Sequence, residues 1–148
     1  MKLRTALATC VMALTLAAPV LAQQATAPSL YKRLGGYDAV AAVTDDFLGR
    51  LATDPGFSRF FAGHSADSIK RIRQHIVDQL CAATGGPCVY VGRDMKTSHA
   101  GLGITEKDWD GSVKHLVATL DKFSVPAKEK DDVLATVSTL KKDIVEKP

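Results

Sequence analysis

This chain lacks the residue patterns that announce most enzymes. Its three cysteines and four histidines form no cluster with the spacing of a zinc site. No Gly-x-Ser-x-Gly nucleophile turn, glycine-rich phosphate loop or dinucleotide fingerprint occurs. Those absences disfavour most hydrolytic and nucleotide chemistry. Period-two alternation is also missing, apart from Cys88-Val-Tyr-Val91, which is too short to found a sheet. There is no internal repeat, linker or low-complexity tract. What remains is helical periodicity, and the fold class read from it is all-α.

A long apolar run is confined to the N-terminus. Lys2 and Arg4 precede the almost wholly apolar stretch Ala6 to Ala18, and Val20 and Ala22 stand three and one positions before Gln23. Basic start, apolar run and cleavage site follow the order of a secretory signal peptide. A membrane anchor is the rival reading. The run falls short of the roughly 20 residues a spanning helix needs, and it is richer in alanine than in leucine or isoleucine. Cys10 lies inside the run, too early for lipid attachment.

The expected organisation is a cleaved signal peptide over 1–22, a flexible leader over 23–28 and one domain over 29–146. Cleavage removes two of the 19 basic residues and none of the 16 acidic ones, which leaves a balance of +1. The basic excess thus belongs mostly to the leader, and nothing points to nucleic acid. The mature chain is expected in the periplasm or secreted, free of the membrane, and monomeric. Cleavage also leaves just two cysteines, Cys81 and Cys88, across the Thr84-Gly-Gly-Pro87 turn. In an oxidising compartment they are a natural disulfide, worth about 2.5 kcal/mol by chain-entropy arithmetic for so short a loop.

Helices follow from spacing. Ser29 caps a short one over Leu30–Leu34, which Gly35-Gly36 ends. Asp38 is placed to cap a helix over roughly 39–52, with Val40, Val43, Phe47 and Leu51 on one face. Pro55-Gly56 breaks it. The segment Phe57 to Phe61 is too aromatic for a solvent loop and is expected to fold back over something apolar. A helix starting between Ser65 and Ser68 and ending at Ala83 sets Ile69, Ile72, Ile76, Leu80 and Ala83 in one inward stripe, with His75 and Gln79 beside it. A short helix around Asp94 to Ser98 interrupts the irregular stretch 87–104. Thr105 to Phe123 aligns Trp109, Val113, Leu116, Leu120 and Phe123. Pro126 suits a first turn, and a last helix to about Val145 buries Val133, Val137, Leu140 and Ile144. The two middle and two C-terminal helices are expected to pack as crossed antiparallel pairs.

A single histidine has no spacing signature. His115 falls off its apolar stripe and reads as a surface or rim residue, and His64 reads as a cap or turn residue. His75 lies between Ile72 and Ile76 and, taken alone, is an ordinary hydrogen-bonded core histidine. His99 ends a short polar helix just before a glycine-bearing turn, which offers one imidazole to a flat ligand.

Six motifs then stand in register: Leu30-Tyr-Lys-Arg-Leu-Gly-Gly36, Asp46-Phe47, Phe60-Phe61-Ala-Gly63, Thr84-Gly85-Gly86-Pro87, Tyr90-x-Gly92-Arg93-x-Met95 and His99-Ala-Gly-Leu-Gly-Ile104. In that order the chain resembles the group I truncated haemoglobins over about residues 29–145. The resemblance implies a two-over-two helical sandwich holding one haem b. It makes His99 the proximal iron ligand, Phe61 and Phe60 the aromatic pair that seats the haem, and Phe47, Met95 and Leu102 apolar contacts. Cofactor-facing positions also fall to Leu48, Ile72, His75 and Ile76. One of the side chains in the basic run Lys70-Arg71-Ile72-Arg73 either meets a carboxylate of the cofactor or simply edges a helix. No Cys-x-x-Cys-His occurs, so c-type attachment is not indicated.

The resemblance carries one departure. Where the family usually has a Tyr that donates to the bound gas, this chain has Leu48. A position that often carries Gln matches Ile76 when the helix is anchored on Gly85-Gly86. In that register His75 matches a histidine that, in cyanobacterial relatives, takes the sixth iron position. Anchoring on Phe60-Phe61 shifts the match by three residues and leaves the distal assignment open. Losing one such hydrogen bond alters ligand dissociation by roughly 5- to 150-fold, which argues against tight oxygen storage.

The function implied is reversible binding of O2, NO or CO. Alternatives are nitric oxide dioxygenation or peroxide turnover, for which the chain names neither reductase nor proton donor, and electron transfer with His99 and His75 on both axial sites. A haem-free helical binding module, its aromatic turn simply core, is the fourth reading.

Overall fold

The computed structural model describes residues 27–147. The expected signal peptide, its expected cleavage site and most of the expected 23–28 leader lie outside the described residues. Among those described, eight helices follow in order: α1 (Leu30–Arg33), α2 (Tyr37–Thr53), α3 (Ser58–Phe61), α4 (Ala66–Ala83), α5 (Met95–His99), α6 (Glu106–Lys122), α7 (Ala127–Ser138) and α8 (Lys141–Ile144). No strand forms among them. Cys88 to Val91 is irregular, and one isolated bridge joins Thr105 to Lys147.

The caps explain most helix starts. Ser29, Ser65 and Asp94 each accept a backbone N–H from the first turn of α1, α4 and α5. Thr105 and Asp108 form a reciprocal capping box at α6. Two starts differ from expectation. Helix α2 begins at Tyr37 with Gly36 as its cap, so Asp38 sits inside the first turn, where its charge still favours the helix N-terminus. Pro126 is the residue before α7 rather than within it.

The expected single C-terminal helix is instead two, α7 and α8. Ser138 and Thr139 hydroxyls bond the carbonyls of Ala135 and Thr136, and Leu140 N–H bonds Val137 three residues back. Hydroxyl competition for carbonyls and a tightened turn end the regular ladder there.

Helix α2 packs against both α4 and α6, α6 packs on α7, α1 on α7, and α5 on α8. Leu116, Leu120 and Val133 form the buried cluster between α6 and α7, with Val43 and Phe47 of α2 against it. Cys81 and Cys88 form the expected disulfide, with Cα atoms 5.7 Å apart. It ties the end of α4 to the segment leading toward α5.

The α4 stripe shows how the core is arranged. Ile72, Ile76 and Leu80 are only half-buried, whereas Val77 and Cys81 have no exposure at all. Phe123, expected inside, is 41% exposed at the end of α6. The reason is a hollow: Ile72, Ile76, Leu80 and Phe123 all line a cavity in the middle of the molecule.

Candidate functional site

The cavity measures about 970 Å³, near the top of the range for ligand sites, and its walls are mainly apolar. Left dry, a void of that size would cost on the order of 20 kcal/mol at roughly 24 cal/mol per Å³. That exceeds the roughly 5–15 kcal/mol by which a domain is stable. An apolar space of that size is suited to a ligand.

All ten residues singled out from the sequence line it. Phe47 and Leu48 come from α2, Phe60 and Phe61 from α3, and Ile72, His75 and Ile76 from α4. Met95 and His99 come from α5, with Leu102 in the turn beyond. Five separate segments thus converge on one space.

Helix α5 presents His99. Asp94 caps it by accepting Thr97 N–H at 2.7 Å, a bond that holds the Asp94 carboxyl below its ordinary range. The Arg93 carbonyl accepts from both Tyr90 and Ser98 hydroxyls, which secures the approach to the helix. At the other end His99 Nδ1 lies 2.8 Å from the Met95 carbonyl oxygen. A carbonyl only accepts, so Nδ1 carries the hydrogen, and in the neutral ring Nε2 then holds the lone pair. That is the state in which a histidine ligates metal, with its far nitrogen fixed by a backbone acceptor.

The aromatic turn is pinned from several sides. Arg59 pairs with Asp108 of α6 at 2.7 Å and lies over the Phe60 ring at 4.4 Å. Phe57 meets Phe60 at 6.1 Å and stands edge-on to His115 at 5.6 Å. Gly111 makes that approach fit, since a Cβ there would stand 3.0 Å from Phe57 Cζ. His115 itself is half-buried and bonds Asp54 at 2.8 Å, which makes it a support of this turn rather than a plain surface residue.

On the α4 side, His75 stands edge-on to Tyr90, ring centroids 6.1 Å apart. Arg73 is committed to Asp45 of α2 at 2.7 Å and Lys70 to Asp67 at 3.5 Å, whereas Arg71 lines the cavity. The sequence reading left three cations open for a cofactor carboxylate, and Arg71 is the one placed there. Sequence reasoning missed His64, which lines the cavity while its Nδ1 sits 3.2 Å from Ser68 Oγ, and it missed Arg93 and Trp109 on the walls. The fully buried Thr44 and Thr119 carried no sequence signal.

The site fits haem on its own donor set. Among the described residues no three His, Cys, Asp or Glu side chains gather to hold a bare metal ion. A large apolar space with the His99 imidazole on its wall suits a metal carried in by an apolar macrocycle, and Arg71 and Arg93, on the same walls, are suited to its carboxylates.

Comparisons with known proteins agree. The bacterial-like globin family matches residues 29–146. The group 1 truncated hemoglobin GlbN of Mycolicibacterium paratuberculosis is 32% identical over 122 residues, covering 82% of this chain and 88% of its own. GlbN of Nostoc commune is 34% identical over 119 residues, covering 80% and 98%. The structure of a Synechococcus 2/2 hemoglobin, solved in the cyanomet state with covalently attached heme, superposes with a TM-score of 0.72 at 29% identity, covering 80% of this chain and 98% of that one. With its apolar cavity inside a two-over-two sandwich, the His99 imidazole on the wall and a match over nearly the whole described chain, the protein belongs to the bacterial-like globins as a group 1 truncated haemoglobin, a family of haem-containing gas-binding proteins.

Proposed function

We propose that the cavity holds one non-covalently bound haem b with His99 as its proximal ligand, and that the protein binds a small diatomic gas reversibly. The observation that carries this is the contact of His99 Nδ1 with the Met95 carbonyl at 2.8 Å, which fixes Nδ1 as the donor and so directs metal ligation to Nε2 on the cavity that His99 lines. Bound haem supplies an iron with one further position for O2, NO or CO. The chain does the rest. Phe60 and Phe61 cover the macrocycle, Met95 and Leu102 pack beside His99, and Arg71 serves a carboxylate. Leu48, Ile72 and Ile76 keep the remaining wall apolar and exclude water.

The test is reconstitution with haemin. The wild-type protein should develop a Soret band and change spectrum reversibly under CO or O2. His99→Ala should lose most of its haem, and unaltered haem retention in that variant would sink the assignment.

One observation favours a second reading. His75 lines the same cavity from a different helix and is steadied by Tyr90, so a second imidazole besides His99 reaches that space from α4. If His75 takes the second axial position, the ferrous protein is low-spin without added gas, the behaviour of an electron carrier, and His75→Ala abolishes that spectrum.

Export to the periplasm is part of the same proposal. The Cys81–Cys88 bridge supports it, because such bonds persist in oxidising compartments. Mass spectrometry of the mature periplasmic protein should find a chain beginning at Gln23.

A further inference from the structure

We propose that Glu146 is a positioning residue for His99, its carboxylate clamping the turn that follows the histidine and so setting where the imidazole stands against the cofactor. The proposal rests on the reading of His99 as the iron ligand. Helix α5 has five residues, too few to hold an orientation unaided. Its start is secured by Asp94, but beyond His99 the chain turns extended at Ala100 and passes through two left-handed glycines, Gly101 at φ +81° and Gly103 at φ +63°. Within that turn itself the one backbone bond is Leu102 N–H to the His99 carbonyl at 3.2 Å.

Glu146 reaches this turn from 45 residues away. One carboxylate oxygen accepts Gly101 N–H at 2.6 Å and the other accepts Gly103 N–H at 2.5 Å. The acceptor is itself anchored. Glu146 N–H and Lys147 N–H both donate to the carbonyl of buried Ile104, at 2.9 and 3.2 Å, and the Lys147 carbonyl accepts Glu106 N–H at 3.2 Å. Just upstream, α8 packs on α5. The C-terminal segment therefore hangs from Ile104 and reaches back over the exit of the His99 helix.

An incidental surface carboxylate would pair with a mobile lysine or arginine. This one divides its two oxygens between two backbone amides, groups that move only when the turn moves. Only Ala100 separates His99 from the first of them. The Met95 bond sets the ring's rotation, and the Glu146 clamp sets the position of the backbone that carries it.

The experiment uses full-length, haem-reconstituted ferrous protein and reads the iron–imidazole stretching band by resonance Raman, with the rate of haem transfer to apomyoglobin. Glu146→Ala should shift or broaden the band and speed haem loss severalfold. Glu146→Gln keeps one good acceptor and should fall between wild type and Ala. Glu146→Asp keeps the charge but is one methylene short of spanning both amides, and should resemble Ala. Should the Ala variant fail to fold, the Gln and Asp variants read the same ordering. Arg73→Ala, which removes the α4–α2 pair with Asp45 and touches neither α5 nor the turn beyond it, should leave the band in place. A wild-type band and haem-loss rate in Glu146→Ala would overturn the clamp alone. So would restoration by Asp but not Gln, since charge and not geometry would then be at work. A band that survives His99→Ala would overturn the clamp together with the ligand assignment.

Discussion

Asp46 is the residue on which α2 and α6 are joined. Its carboxylate accepts from Lys122, from Arg50 at 2.6 Å and from the fully buried Thr119 hydroxyl at 2.9 Å. The Lys122 ammonium first, then the Arg50 guanidinium, holds its pKa far below the ordinary 3.8. A carboxyl whose folded-state pKa is depressed contributes stability that is complete above its unfolded value and is lost as pH falls below about 4. Asp46→Ala should therefore cost about 1–2 kcal/mol at neutral pH, and the gap to wild type should narrow at pH 3. Urea denaturation at the two pH values measures both. At this scale His99 was legible because a glycine turn and five other motifs frame it in register. His64 was not, because its bond to Ser68 looks like routine capping, and only the extended backbone at Ala62, which ends α3, carries the following loop to the cavity wall. Thr119 was not either, since its partner lies 73 positions away.

Among the elements, α3 shows how a short helix with no fully buried residue is held in place. Phe57 packs where Gly111 of α6 leaves room, and any larger residue there must displace the ring. Gly111→Val should destabilise by about 1–3 kcal/mol, the usual cost of overpacking, and should loosen haem retention as the aromatic turn lifts. Denaturation and haem-transfer kinetics check the two effects. The end of α4 is held covalently instead. Free-thiol titration of the unreduced, denatured mature protein, from which cleavage would have removed Cys10, should find no thiol, and replacing Cys81 and Cys88 by alanine should cost about 2.5 kcal/mol. Helix positions were legible from apolar spacing throughout. Two features were not: the break after Ser138, which depends on hydroxyls turning to carbonyls, and the start of α2, where Gly36 takes the place expected of Asp38.

For the molecule as a whole, periodicity showed which faces are apolar but not that four of them look into empty space. An inward stripe reads the same whether it meets another helix or a cofactor, so the hollow emerged only from the motifs and then from the packing. Helix α2 is a wall common to both layers, packed against α4 and against α6. Neither layer can part without stripping contacts from it, whereas the four-residue helices α1, α3 and α8 hold no buried residue. Native-state hydrogen exchange should accordingly find the slowest amides in α2, around the fully buried Thr44, and the fastest helical ones in α1, α3 and α8. Equal protection across the helices would contradict this.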